Sequence, residues 1–135
     1  VKSGEAMVRN DSALRKLGAR LLKINVGSAI VELEVKLKHT NGHGFCHGGV
    51  IFTLADATFG FACNSYNVKA VAQNCSITYI SPVKDKDILT AEATEIKKFG
   101  RSAIYDVTIK NQNNDLVAIF RGHSRDIGSQ LFNEQ

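Results

Sequence analysis

Tryptophan is absent from this sequence, and proline occurs once, at Pro82. No low-complexity tract, linker or internal repeat interrupts the chain, and 135 residues suit one domain around one core, taken as residues 1–135. No apolar run approaches the roughly 18 residues of a membrane span. The first twenty residues also lack the apolar stretch of a secretory signal. The three cysteines, Cys46, Cys63 and Cys75, are odd in number and form no C-x-x-C, which favours reduced thiols and a cytoplasmic setting. There is no long Lys/Arg run, which weighs against nucleic acid as a partner, as the missing apolar span does against a membrane. The net charge of +4 is mild and fits either a solvated surface or a site for an anionic ligand.

What is present is patterned. Asp11 or Ser12 can cap a short helix, SALRKLGARLL, with Leu14, Leu17, Leu21 and Leu22 on its apolar side. The alternation in ARLLKINVGSAIVELEVKL, with Gly27-Ser28 in the middle, predicts a hairpin. Residues 38–49 read as a loop, because glycines and an Asn-Gly break both periods. Residues 50–64 form the best helix of the chain: Val50, Leu54, Ala57 and Phe61 make one apolar face, and Phe52, Phe59 and Cys63 another. A helix apolar nearly all round is a buried helix. Four strand-like runs follow, joined by the short connections KDK, FG and NN, and they read as an antiparallel meander. The predicted class is α+β, one antiparallel sheet wrapped around one long central helix.

Two features within residues 37–60, LKHTNGHGFCHGGVIFTLADATFG, carry chemistry. Asp56 interrupts the apolar helix, although Asp is a poor interior helix residue and is rarely buried. Its helical neighbours are Phe52, Thr53, Phe59 and Gly60, which predicts a cramped, dry pocket that would raise the carboxyl pKa and make it a better base. A buried structural Asp bonded to Thr53 or to another segment is the alternative. The second feature is His47-Gly48-Gly49 at the helix start, where uncovered first-turn amides can hold an oxyanion. A Gly-Gly turn chosen for positive φ is the plainer alternative. Gly48 and Asp56 are eight residues apart, roughly 12 Å along one helix, whereas both groups of one catalytic site must lie within about 3 Å of the reacting atoms. One helix cannot supply both, but two copies about a two-fold axis can.

NGHGFCHGGVIFTLADATFGFACNS resembles the hot-dog-fold thioesterases, specifically those of the phenylacetic acid degradation type. VAQNCSITYISPV, IYDVTIKNQ, LVAIFRGHSRDIG and the amino-terminal NDSALRKLGARL extend the resemblance over nearly the whole chain. It implies a hot-dog fold, homodimers that assemble into homotetramers, and hydrolysis of acyl-coenzyme A thioesters, often aryl or arylacetyl ones, without metal or other cofactor. Coenzyme A is then part of the substrate. By position, Asp56 would be the catalytic carboxylate, Gly48 the backbone donor to the thioester carbonyl, Asn41 a positioner of substrate or water, and His47 a support for the same loop or carbonyl. Arg101 and Ser102, in the basic hairpin tip KKFGRS, would meet the coenzyme A phosphates. Phe52 and Phe59 could shape an aromatic acyl pocket, with core packing as the alternative.

Other readings compete. His39, His43 and His47 are spaced by four, as helical metal ligands are, but Asn41, Gly42 and Gly44 break such a helix. Cys46 beside His47 suggests a thiol nucleophile, although adjacent residues seldom face each other. Pairing His43 or His47 with Asp56 leaves open an acyl-thioester hydratase or dehydratase. A non-catalytic acyl-coenzyme A binder would gain little from a dry acid.

Overall fold

The alternating runs become strands, and the all-round apolar run becomes the helix they close upon. The structure, a computed structural model, describes residues 12–128. Helix α1 (Ser12–Leu17) precedes β1 (Arg20–Asn25) and β2 (Ser28–Glu34). A 3₁₀ turn (Leu37–His39) and a loop lead into α2 (Gly48–Cys63), followed by β3 (Ala70–Tyr79), β4 (Ile88–Phe99), β5 (Ser102–Lys110) and β6 (Leu116–Asp126). The strands form one antiparallel sheet in the order β1-β2-β4-β5-β6-β3. Helix α2 touches all six strands. Its buried Leu54, Ala55, Phe59 and Phe61 join one core with Leu33, Leu89, Tyr105, Val107 and Phe120 from the sheet. This is the α+β, sheet-around-a-helix arrangement predicted above. Among the described residues no helix is long and apolar enough to cross a membrane.

Three local expectations need correction. The first helix was expected to run to Leu22. It stops at Leu17 because Gly18 takes φ 84°, a left-handed conformation that ends helices, and Leu21 and Leu22 pass into β1. Its expected cap at Asp11 or Ser12 lies outside the residues whose side chains are described. The β1–β2 turn is Val26-Gly27, one residue earlier than expected, with Asn25 pairing Ser28 and Gly27 at φ 78°. The meander holds only for β4, β5 and β6. Strand β3 pairs with β6 at the far edge, while β4 pairs with β2. Alternation identifies a strand but not its neighbour. Here the connection after β3 is held across the end of the fold, where Cys46 N–H donates to Val83 C=O at 2.7 Å and Lys86 N–H to Val35 C=O at 2.7 Å.

The helix and sheet meet closely at Gly122 of β6. A Cβ there would lie 2.7 to 2.8 Å from three ring atoms of Phe59. Phe59 is 1 % exposed and packs against Tyr105 and Phe120 with ring centroids 5.8 and 5.7 Å away. The ring cannot retreat without disturbing the core, so Gly122→Ala is expected to lower stability by about 1–3 kcal/mol, the usual cost of overpacking. Denaturant titration reads this directly. A wild-type midpoint would mean that the spacing relaxes without cost.

Candidate active site

The segment before α2 is folded by backbone and side-chain bonds that fix where the helix begins. Asn41 Oδ1 accepts the N–H groups of His43 at 2.9 Å and Phe45 at 3.2 Å, and Asn41 N–H donates to Phe45 C=O at 2.7 Å. His47 N–H donates to His39 C=O at 2.8 Å, and the His47 C=O accepts from Val50 and Ile51. His47 is the N-cap residue, yet its exposed side chain makes no capping bond. Gly48 and Gly49 follow as first-turn residues. Their amides have no intrahelical acceptor and lie at the positive end of the helix.

Neither glycine has a positive φ, so conformational freedom is not why they are there. At Gly48 the reason is packing. A Cβ would stand 3.2 Å from the ring and hydroxyl of Tyr79, and the Tyr79 O–H donates to the Gly48 C=O at 2.8 Å. A cavity of about 270 Å³ opens beside this helix start, walled by Phe45, Gly48, Ile51, Tyr79, Pro82 and Val83 among others.

Asp56 lies two turns further along the same unbroken helix and does not line that cavity. It is half-buried, not enclosed in the dry pocket expected for it. The physical reason is that β3, beside this part of the helix, is the last strand of the sheet. The thiols of Cys63 and Cys75 share its neighbourhood: both are pushed up, first by burial and then by the Asp56 charge among lesser causes, Cys63 to about 12. The Thr53 hydroxyl, considered as a partner for Asp56, donates to the Gly49 C=O at 2.8 Å.

The histidines do not form a cluster. His39 is buried, with Nδ1 accepting from Lys36 N–H at 2.9 Å and Nε2 2.9 Å from Leu17 C=O, so it ties α1 to the 3₁₀ turn as a structural group. His43 and His47 are exposed. Among the described residues no group of three or more His, Cys, Asp or Glu is placed to hold a metal ion. Cys46 is no better placed as a nucleophile. Burial and then the Asp87 charge push its thiol up to about 11, so at neutral pH it stays protonated, and the thiolate is the reactive form.

Phe52 is half-buried and packs edge-on against Phe120 at 5.6 Å, while Phe59 is fully enclosed by core residues. Arg101 is exposed at the tip of the β4–β5 hairpin, and Ser102 opens β5 opposite Phe99 and Arg125. The Arg101 C=O accepts from Asp126, which pairs with Ala70 at the start of β3. Gly48 sits under Tyr79 at the other end of β3. A ten-residue strand spans roughly 30 Å, so one protomer keeps its basic hairpin and its helix start far apart.

Strand β3 itself is an open edge. It has no strand partner on its outer side among the described residues, carries no charged residue in AVAQNCSITY, and exposes Val71 and Tyr79. A long uncharged edge of this kind is a template for another strand.

Sequence reasoning missed the wall formed by Tyr79 and residues 80–83. Pro82 signalled only where the strand stops. The pairing register of β3 with β6, invisible in the local pattern, is what carries Tyr79 to Gly48.

Residues 43–118 match the profile of the Thioesterase superfamily. The chain is 38 % identical over 133 residues to acyl-coenzyme A thioesterase PaaI of Escherichia coli (strain K12), covering 98 % of this chain and 95 % of that one. The solved structure of the E. coli PaaI protein from the phenylacetic acid degradation operon superposes with a TM-score of 0.94 at 39 % identity, over 96 % of this chain and 94 % of the other. The protein smu.793 of Streptococcus mutans UA159, solved bound to acetyl CoA, superposes with a TM-score of 0.80 at 31 % identity, over 83 % and 90 % of the two chains.

Proposed function

From the premise that this chain belongs to the thioesterase superfamily, as a hot-dog-fold acyl-coenzyme A thioesterase of the phenylacetic acid degradation type, we propose that it hydrolyses aryl or arylacetyl thioesters at sites shared by two subunits. The observation that carries this reading is that Gly48 and Asp56 stand on one unbroken helix, roughly 12 Å apart along its axis, beside an open sheet edge. Pairing β3 with a copy of itself about a two-fold axis lays the Ala70 end of one strand against the Tyr79 end of the other. The same axis sets the two α2 helices head against tail. Asp56 of one protomer then serves the helix start of the second, and the basic hairpin of the first approaches the cavity of the second.

In this site the thioester carbonyl oxygen accepts the Gly48 N–H. Asp56 either takes a proton from a water that attacks the carbonyl carbon, or attacks that carbon itself to form an acyl anhydride that water then cleaves. Negative charge that develops on the carbonyl oxygen meets the amide and the positive helix end. The C–S bond breaks, and the coenzyme A thiolate departs and takes up a proton. Because a thiolate leaves readily, one carboxylate and one oxyanion donor suffice. Asn41 orients substrate or water, His47 supports the loop and the carbonyl, and Phe52 borders the acyl group. Phe59 contributes through packing alone. The assembly proposed is a homodimer that pairs into a homotetramer.

A thiol-release assay over aliphatic, benzoyl and phenylacetyl coenzyme A esters, run on wild type and Asp56→Asn, tests reaction, substrate class and residue together. The aryl or arylacetyl esters should give the highest kcat/KM. Thiol release from none of them would overturn the reading. Arg101 and Ser102 are proposed to contact the phosphates, so Arg101→Ala should raise KM roughly three- to tenfold with kcat nearly unchanged, the scale of one exposed charged hydrogen bond. An acyl thioester of N-acetylcysteamine, which has no phosphate, should not distinguish Arg101→Ala from wild type.

A further inference from the structure

The amino end of α2 is weak by its own composition. Two glycines in the first turn are poor helix formers, and the N-cap residue His47 supplies no side-chain bond. Such a turn frays, yet an oxyanion donor must hold its direction to within a fraction of an ångström to act.

Tyr79 supplies what the helix start lacks. It is the last residue of β3, and its pairing with Ala118 fixes its backbone to the sheet. Its hydroxyl donates to the Gly48 C=O at 2.8 Å, which pins the plane of the Gly48–Gly49 peptide. Its ring lies over Gly48, 3.2 Å from where a Cβ would be, and so restricts torsions that a glycine otherwise leaves soft. No other side chain within 4 Å of that point is closer. We propose that Tyr79 is a positioning residue: by holding the Gly48–Gly49 peptide and restricting the Gly48 torsions, it fixes the adjoining His47–Gly48 peptide, whose N–H the thioester carbonyl requires, through the contact between the end of β3 and the first turn of α2. The proposal rests on the reading of Gly48 as the oxyanion donor.

The decisive variant is Tyr79→Phe, which keeps the ring and removes only the hydroxyl. Expected is a fall in kcat of roughly 5- to 20-fold, part of the 10²- to 10³-fold cost of losing a donor outright, with KM within about twofold. Amide hydrogen exchange should accelerate at Val50 and Ile51, whose N–H groups close the first turn of α2 on the His47 C=O, and stay unchanged in β3 and β6. A wild-type kcat, or a raised KM with wild-type kcat, would make Tyr79 a plain cavity wall and overturn the proposal. Unchanged exchange in the first turn would overturn it as well. Gly48→Pro assayed alongside separates the two claims: wild-type turnover in that variant defeats the reading of Gly48 as the oxyanion donor, whereas the exchange measurement on Tyr79→Phe judges Tyr79 whichever way that falls.

Discussion

Asp56→Ala is expected to lower kcat for phenylacetyl-coenzyme A by a factor of about 10² to 10⁴, the range associated with losing a positioned general base. The fold should survive. Asp56 is half-buried on the flank of α2, while the core side of the helix is carried by Leu54, Ala55, Phe59 and Phe61. Alanine is also the better helix former, by up to about 0.7 kcal/mol. A catalytic group installed at some cost to its helix should therefore give a variant that melts within a few degrees of wild type and barely turns over. A structural aspartate gives the opposite signature, with stability falling and kcat surviving. Thiol-release kinetics and a thermal melt on the same preparation tell these apart. A folded Asp56→Ala with wild-type turnover takes Asp56 out of the mechanism.

Two inactive variants should restore activity when their subunits are mixed. Gly48→Pro removes the proposed donor amide at the first helical position, where proline is tolerated. Alone it should lose about 10²- to 10³-fold in kcat. Asp56→Asn alone should be similarly inactive. After co-refolding in equal amounts, half of the dimers are mixed, and each mixed dimer holds one site with both native groups and one with neither. Recovery should approach about one quarter of wild-type activity. If one protomer supplied the whole site, no combination of subunits could regenerate it, and the mixture would stay as inactive as its components. The length of the helix between Gly48 and Asp56 is what makes recovery the expected result.

These two residues stood out in the sequence for different reasons. Asp56 breaks an apolar helical pattern, and such an anomaly is visible without coordinates. The Gly48-Gly49 pair is visible too, but its meaning is not, since glycine serves turns as readily as close contacts. The backbone torsions and the approach of the Tyr79 ring distinguish them at Gly48. Phe59 illustrates the converse: its spacing fits a pocket or a core equally well, and its packing over Gly122 decides for the core. The histidines at 39, 43 and 47 share a ligand-like spacing that the 3₁₀ turn and loop dissolve, leaving His39 as a buried tie between α1 and the turn.

The sequence by itself determined the class of the fold, the central helix and the run of strands, and it singled out the residue on which the proposed chemistry hangs, because periodicity records which face of each element leaves water. Tertiary structure alone decided that β3 is an edge strand, that Asp56 is half-exposed within one protomer, and that Tyr79 covers the helix start. Those facts depend on distances between segments far apart in the chain, and no local pattern of polar and apolar residues encodes a distance.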